Sequence, residues 1–224
     1  MINILRQSFY YIILFFHSIS IAQSPRAGVW EDEKFSGLEF RSIGPALMSG
    51  RISDIAIHPN DENTWYVTAG SGNVWKTVNA GVTWDAIFDD QGSYSIGCVT
   101  IDPNDPNVIW IGTGEDLGGR HFGYGDGIYR SEDGGKNWKN MGLMNSERIS
   151  KIIIHPKDSK TLWVASQGPL WSSGGQRGVY KTVDGGKNWK LVLKGNKWTG
   201  ATELILDPRN PDRIYAALWQ RHRT

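Results

Sequence analysis

Beyond residue 50, apolar and polar positions alternate with a period of two in short stretches rich in Val, Ile, Trp and Tyr, with no helical periodicity. Alternation of that kind, bounded by turn residues, is the pattern of β-strands. The stretches come in sets of four. The first set is 52–57, 65–69, 74–77 and 84–88, the second 96–101, 108–112, 127–130 and 138–141, and the third 149–154, 162–166, 178–181 and 189–193. A fourth set supplies 202–206 and 213–218, and the chain stops at Thr224 before it is complete.

Two kinds of turn punctuate each set. Ile57-His58-Pro59-Asn60-Asp61, Ile101-Asp102-Pro103-Asn104-Asp105, Ile154-His155-Pro156-Lys157-Asp158 and Leu206-Asp207-Pro208-Arg209-Asn210 separate first from second strands. Proline pushes its predecessor toward extended backbone and the following Asp or Asn favours a turn. These prolines recur every 44 to 53 residues. Four-stranded units repeating at that interval predict an all-β fold, a β-propeller of four-stranded antiparallel blades. It would be incomplete, with about three and a half blades in 38–224, and the stretch 38–43 reads as a lone strand able to close the last blade of a full ring.

The second turn, between third and fourth strands, is the more distinctive. It reads Lys76-Thr77-Val78-Asn79-Ala80-Gly81-Val82-Thr83-Trp84, Arg130-Ser131-Glu132-Asp133-Gly134-Gly135-Lys136-Asn137-Trp138 and Lys181-Thr182-Val183-Asp184-Gly185-Gly186-Lys187-Asn188-Trp189. Asn79, Asp133 and Asp184 can bond backbone a little further on, Gly accepts positive φ, and Trp84, Trp138 and Trp189 supply a large aromatic anchor. Residue types that recur in every unit serve the unit, so these six positions read as structural. The motif resembles the Asp box, or BNR repeat, of sialidases, of the sortilin N-terminal domain and of the xyloglucanases of glycoside hydrolase family 74.

That resemblance covers the chain from Phe40 to Arg223. It implies a propeller and leaves two activities open: sortilin-like members bind protein partners, whereas the hydrolase members cleave glucans. The xyloglucanase pattern carries an Asp in its first blade, in a stretch like Arg-Thr-Asp-x-Gly-Gly-Ala-Tyr-Arg. The matching stretch here, Val67-Thr68-Ala69-Gly70-Ser71-Gly72-Asn73-Val74-Trp75-Lys76, has no carboxylate. Sialidases begin with Phe/Tyr-Arg-Ile-Pro, of which Phe40-Arg41-Ser42-Ile43-Gly44-Pro45 is a broken echo.

In a four-stranded blade the two turn types just described share one face, and the loops between second and third strands share the other with the blade-to-blade loops. His58 and His155 therefore read as turn residues, as Asp102 and Asp207 replace them in alternate units. Length varies on the opposite face, where loops on a rigid scaffold usually bind. The loop 113–126 holds Glu115, Asp116, Arg120, His121, Tyr124 and Asp126, and the loop 167–177 holds Trp171, Gln176 and Arg177. Arg51 and Arg148 each precede a first strand and are candidates for the central channel or for salt bridges. Ligand candidates are thus Arg51, Arg120, His121, Tyr124, Arg148 and Trp171. Glu115, Asp116 and Asp126 are the acid or base candidates if the protein is a hydrolase.

Composition adds location and exclusions. Arg6, an apolar run over 9–16 and Ser20-Ile21-Ala22 predict a signal peptide over 1–22, its apolar core being shorter than the roughly 20 residues of a spanning helix. An exposed lead-in segment follows over 23–37, and the mature protein is expected to be secreted or periplasmic, with no membrane span. The formal net charge of +1 argues against nucleic acid, and a single cysteine, Cys98, rules out an internal disulfide. No cofactor or metal is expected. The expected partner is an extracellular protein or polysaccharide.

Overall fold

The computed structural model describes residues 51–116 and 123–222. The signal peptide, the lead-in segment, the strand expected at 38–43 and the candidates Arg120 and His121 lie outside these. The described residues form an all-β propeller arc of about three and a half blades. Blade 1 is β1 (Ile52–Ile57), β2 (Trp65–Ala69), β3 (Val74–Thr77) and β4 (Asp85–Ala86). Blade 2 is β5 (Ile96–Ile101), β6 (Ile109–Thr113), β7 (Ile128–Ser131) and β8 (Lys139–Asn140). Blade 3 is β9 (Ile149–His155), β10 (Asp158–Ser166), β11 (Gly178–Thr182) and β12 (Lys190–Leu193). Blade 4 has β13 (Thr199–Leu206) and β14 (Ile214–Gln220). Each sheet is a simple antiparallel meander in chain order. Among the described residues no helix is long and apolar enough to cross a membrane.

Two features depart from the expected strands. The fourth strands are shorter: β4 and β8 are two residues each, and Trp84, Trp138 and Trp189 stand just before them. Blade 4 pairs further than its pattern predicts, from Leu206↔Ile214 to Thr199↔Gln220, because a bulge between Ala201 and Glu203 absorbs a break in alternation. The same irregularity interrupts β1 between Ile52 and Asp54, β5 between Ile96 and Cys98, and the β9 pairing between Lys151 and Ile149. Asp54, Cys98, Lys151 and Glu203 consequently hold equivalent positions on the four innermost strands.

The core is divided among the blade interfaces. Tyr66, Val74 and Phe88 of blade 1 pack with Ile96, Ile109 and Tyr129 of blade 2. Cys98, Trp110 and Ile128 of blade 2 pack with Ile149, Leu162 and Tyr180 of blade 3, and Trp163, Ala165 and Val179 pack with Ala201 and Leu204 of blade 4. Sheets buried on both faces need apolar residues at both parities, which is why β6 is buried throughout.

The repeated turns are closed by their own side chains. Oδ1 of Asp133 accepts the backbone N–H groups of Lys136 and Asn137 at 3.0 and 2.9 Å, and Oδ2 accepts Asn137 Nδ2 at 2.6 Å. Asp184 repeats this with Asn188, and Asn79 Oδ1 accepts Thr83 N at 2.9 Å. The proline turns are equally uniform. Nδ1 of His58 and of His155 accepts the N–H two residues on at 3.2 Å, as Oδ1 of Asp102 does at 2.8 Å and of Asp207 at 2.9 Å. Both histidines are turn residues, interchangeable with Asp because each presents one acceptor at the same place.

Candidate functional site

Three loops meet on the face opposite those turns. The blade-to-blade segment 141–148 lies between the two long loops and bonds to both. Gly125 N donates to Glu147 O at 2.7 Å. Gln176 N donates to Asn145 O at 2.9 Å, and Asn145 N returns a bond to Gln176 Oε1 at 2.9 Å. The segment is held in strained backbone: Leu143 and Glu147 have φ of 57° and 53°, a region that costs a non-glycine residue of order 1 kcal/mol or more. Met144, Asn145 and Glu147 of this segment line a cavity.

That cavity is a groove of about 710 Å³ between blades 2 and 3. Its sides present Tyr124, Asp126, Met144, Asn145, Glu147 and Gln176. Tyr124 is 71% exposed, and Trp171, on the loop that walls the other side, is 59% exposed. Flat aromatic surface beside carboxylate and amide acceptors suits a ligand with apolar faces and many hydroxyl donors.

The acid candidates separate clearly by environment. Asp126 accepts the Tyr129 hydroxyl at 2.6 Å and Thr113 Oγ1 at 3.4 Å, so it is oriented at the groove edge. Glu115 is fully buried and held by Arg51, whose Nε donates to Oε1 at 2.6 Å and whose Nη2 reaches the same oxygen. Its carboxyl fills the space where a side chain at Gly70 would stand. Asp116 is different. Burial, then the nearby negative charges of Asp54, Glu115 and Glu203, push its carboxyl up to about 6, against a bond from its own backbone. Its Oδ1 is buried with no hydrogen-bond partner among the described residues, an arrangement that costs less for a neutral acid than for a carboxylate.

Arg148 is buried and paired with Glu147, Nη1 to Oε2 at 3.0 Å. Arg51 and Arg148 are thus both committed to ion pairs. Tyr124 and Asp126 line the groove together. Glu115, Asp116 and Arg51 form a separate set toward the inner strands. Sequence reasoning missed Met144, Asn145 and Glu147. The available signal was their place between the fourth strand of one unit and the first of the next, on the face already assigned to variable loops.

No family model matches the chain. It is 27% identical to the xyloglucanase Xgh74A of Acetivibrio thermocellus over 78% of this chain and 24% of that protein. Among solved structures it resembles a GH74 enzyme of Niastella koreensis, with 26% identity, a TM-score of 0.56, and 72% of this chain and 24% of that one covered. An ancestral GH74 enzyme superposes with a TM-score of 0.61 at 19% identity, covering 79% and 23% of the two chains, which bears on the fold alone. The chain therefore spans about a quarter of the length of these relatives.

Proposed function

We propose that this chain is part of an exported β-propeller that recognises a β-glucan polysaccharide of the xyloglucan type on its loop face. The observation that carries this is the groove between blades 2 and 3, where exposed Tyr124 stands beside the hydroxyl acceptors Asp126, Asn145 and Glu147. The similarity to xyloglucanases supports the ligand class, and the signal peptide expected over 1–22 supports export to where such polymers occur. The repeated Asp or Asn turns, read as Asp boxes, are scaffold in this account and are shared with sortilin-like proteins that bind polypeptides. The test is calorimetric titration of the full chain with xyloglucan, mixed-linkage glucan and cellulose oligosaccharides, and with unrelated peptides as controls. Binding of a glucan that Tyr124→Ala weakens supports the reading; peptide binding without glucan binding removes it.

A second reading, glycoside hydrolysis, is favoured by one observation, the Asp116 carboxyl held up to about 6. A carboxylic acid still partly protonated in weakly acidic solution is fit to donate its proton to a glycosidic oxygen, while a second carboxylate must activate water or attack the sugar. Glu115 is bound to Arg51 and Asp126 belongs to the groove, so the partner carboxylate in this reading is one contributed from outside the described residues. Release of reducing sugar from xyloglucan, abolished by Asp116→Asn, would establish it. Intact polymer after prolonged incubation would leave the binding role.

A further inference from the structure

We infer that Arg177 is a built-in cation around which the loop 167–176 is folded, and that it is the positioning residue for this wall of the groove. The inference rests on the reading of the groove given above. The Arg177 guanidinium is buried, yet among the described residues no carboxylate bonds to it. Nε donates to Gly174 O at 2.7 Å; Nη1 donates to Gln167 O at 2.7 Å and Trp198 O at 3.4 Å; Nη2 donates to Pro169 O and, at 2.8 Å, to Ser172 O. Four of these five carbonyls belong to the loop itself, and the fifth to the segment entering β13.

Carbonyl oxygens turned toward one point repel each other, and a loop this rich in glycine has many other conformations. A central charge reverses that repulsion, and a planar fork of donors fixes the directions from which carbonyls approach. Burial lowers the guanidinium from its ordinary value, the charge of Glu147 nearby opposes that and Arg148 adds to it. The carbonyl dipoles therefore stand where a counter-carboxylate usually would. The loop is also cut to fit: Gly168, at φ of 76°, leaves no room for a side chain beside the Arg177 stem, and Gly175 abuts the Pro169 ring.

The functional consequence follows from what the folded loop presents. Ser172, Gly175 and Gln176 form one wall of the groove, Trp171 projects from the same loop, and Gln176 passes this order to Asn145 on the segment between the two loops. An aromatic platform and acceptor set held before ligand arrives loses less conformational entropy on binding.

The experiment compares the full chain with its Arg177→Ala and Arg177→Lys variants by hydrogen exchange resolved over 168–176 and over β9 to β11. It adds titration with a xyloglucan oligosaccharide, with and without millimolar guanidinium, and urea as control. In Arg177→Ala, exchange of the loop is expected to rise about tenfold or more while the strands keep their protection, with glucan affinity falling by a similar factor. Guanidinium, and not urea, restores both. Unchanged loop protection in Arg177→Ala overturns the inference, as does a loosened loop with wild-type affinity. Should Arg177→Ala fail to fold, Arg177→Lys decides: a single ammonium cannot reach all five carbonyls, so wild-type loop protection in that variant also overturns it. If the loop effect and its rescue appear but the wild type binds no glucan, the functional reading falls while the role of Arg177 in the loop stands.

Discussion

The indole Nε1 of Trp138 donates to the carbonyl of Ile87 at 2.7 Å, joining the turn of blade 2 to the last strand region of blade 1. Trp189 repeats the bond one blade on, to Met141 O at 2.7 Å. Trp84 instead leans on Trp65 of its own blade, with ring centroids 6.4 Å apart, and is 38% exposed. The repeated spelling of the turn thus closes a hairpin, while Trp138 and Trp189 secure the boundaries between neighbours. Gly135 and Gly186 sit close to Ile87 and Trp110 of the preceding blade, which reinforces the same seam.

Trp138→Phe keeps most of the ring and leaves the Ile87 carbonyl without its donor. A loss of about 1–2 kcal/mol is expected in urea unfolding. Trp84→Phe, with no interblade bond to lose among the described residues, is expected to cost about 0.5 kcal/mol or less. Equal losses at both positions would contradict the interblade role.

His155 accepts the Lys157 N–H at the position where Asp102 and Asp207 act in other blades. His155→Asp is therefore expected to stay within about 0.5 kcal/mol of wild type, and His155→Leu to lose about 1 kcal/mol. Thermal melts of the two variants provide the comparison.

Asp116 carries a carboxyl raised from 3.8 to about 6 by burial first and by Asp54, Glu115 and Glu203 after it. Between those values the folded protein holds a proton that the unfolded chain has released, so the contribution of Asp116 to stability is fully present below about 4 and is lost as pH rises through about 6. Asp116→Asn is expected to flatten this decline, which amounts to order 1–3 kcal/mol. Urea midpoints measured from pH 4 to 8 test it; an unchanged slope in the variant would refute the assignment.

Asp133 shows the opposite sign. Bonds from the Asn137 side chain, then from its backbone, hold the carboxyl down at about 2, from 3.8. Its contribution is present above about 4 and is lost as pH falls toward 2. Asp133→Asn, the arrangement that Asn79 already uses in blade 1, is expected to fold with a weaker acid dependence, and Asp133→Ala to melt at lower temperature at neutral pH. Circular dichroism melts at pH 7 and pH 3 distinguish the two.

Tyr124 offers the groove an exposed ring. Tyr124→Ala is expected to weaken glucan binding about 3- to 10-fold with no change in melting temperature, since stacking of an aromatic face contributes about 0.5–1.5 kcal/mol. Titration of the full chain with oligosaccharide measures it.

Much of the fold was legible because its signals are local. Strand alternation, the proline turns and the Asp or Asn turns each lie within a few residues, and the structure follows them to within a few residues at strand ends. The site was legible only in outline. The long loops marked the face on which the groove lies, but Arg51 and Arg148 were equally compatible with a channel role and with ion pairs. Their partners, Glu115 and Glu147, are 64 residues away in one case and adjacent in the other. Nothing in the spelling of 141–148 announced that this segment would form the floor shared by two loops.

From its sequence alone the chain determined what each unit is: four short strands, two kinds of turn, and a tryptophan placed to anchor one of them. These follow from backbone preferences and from side chains that bond residues two to four positions away. Tertiary structure decided where those side chains finished. The stacking of blades carried Trp138 to Ile87 and Glu115 to Arg51, and the closing of one loop gathered five carbonyls onto Arg177. Such pairings depend on which surfaces blade packing brings together, a property of the assembled arc that no local stretch encodes.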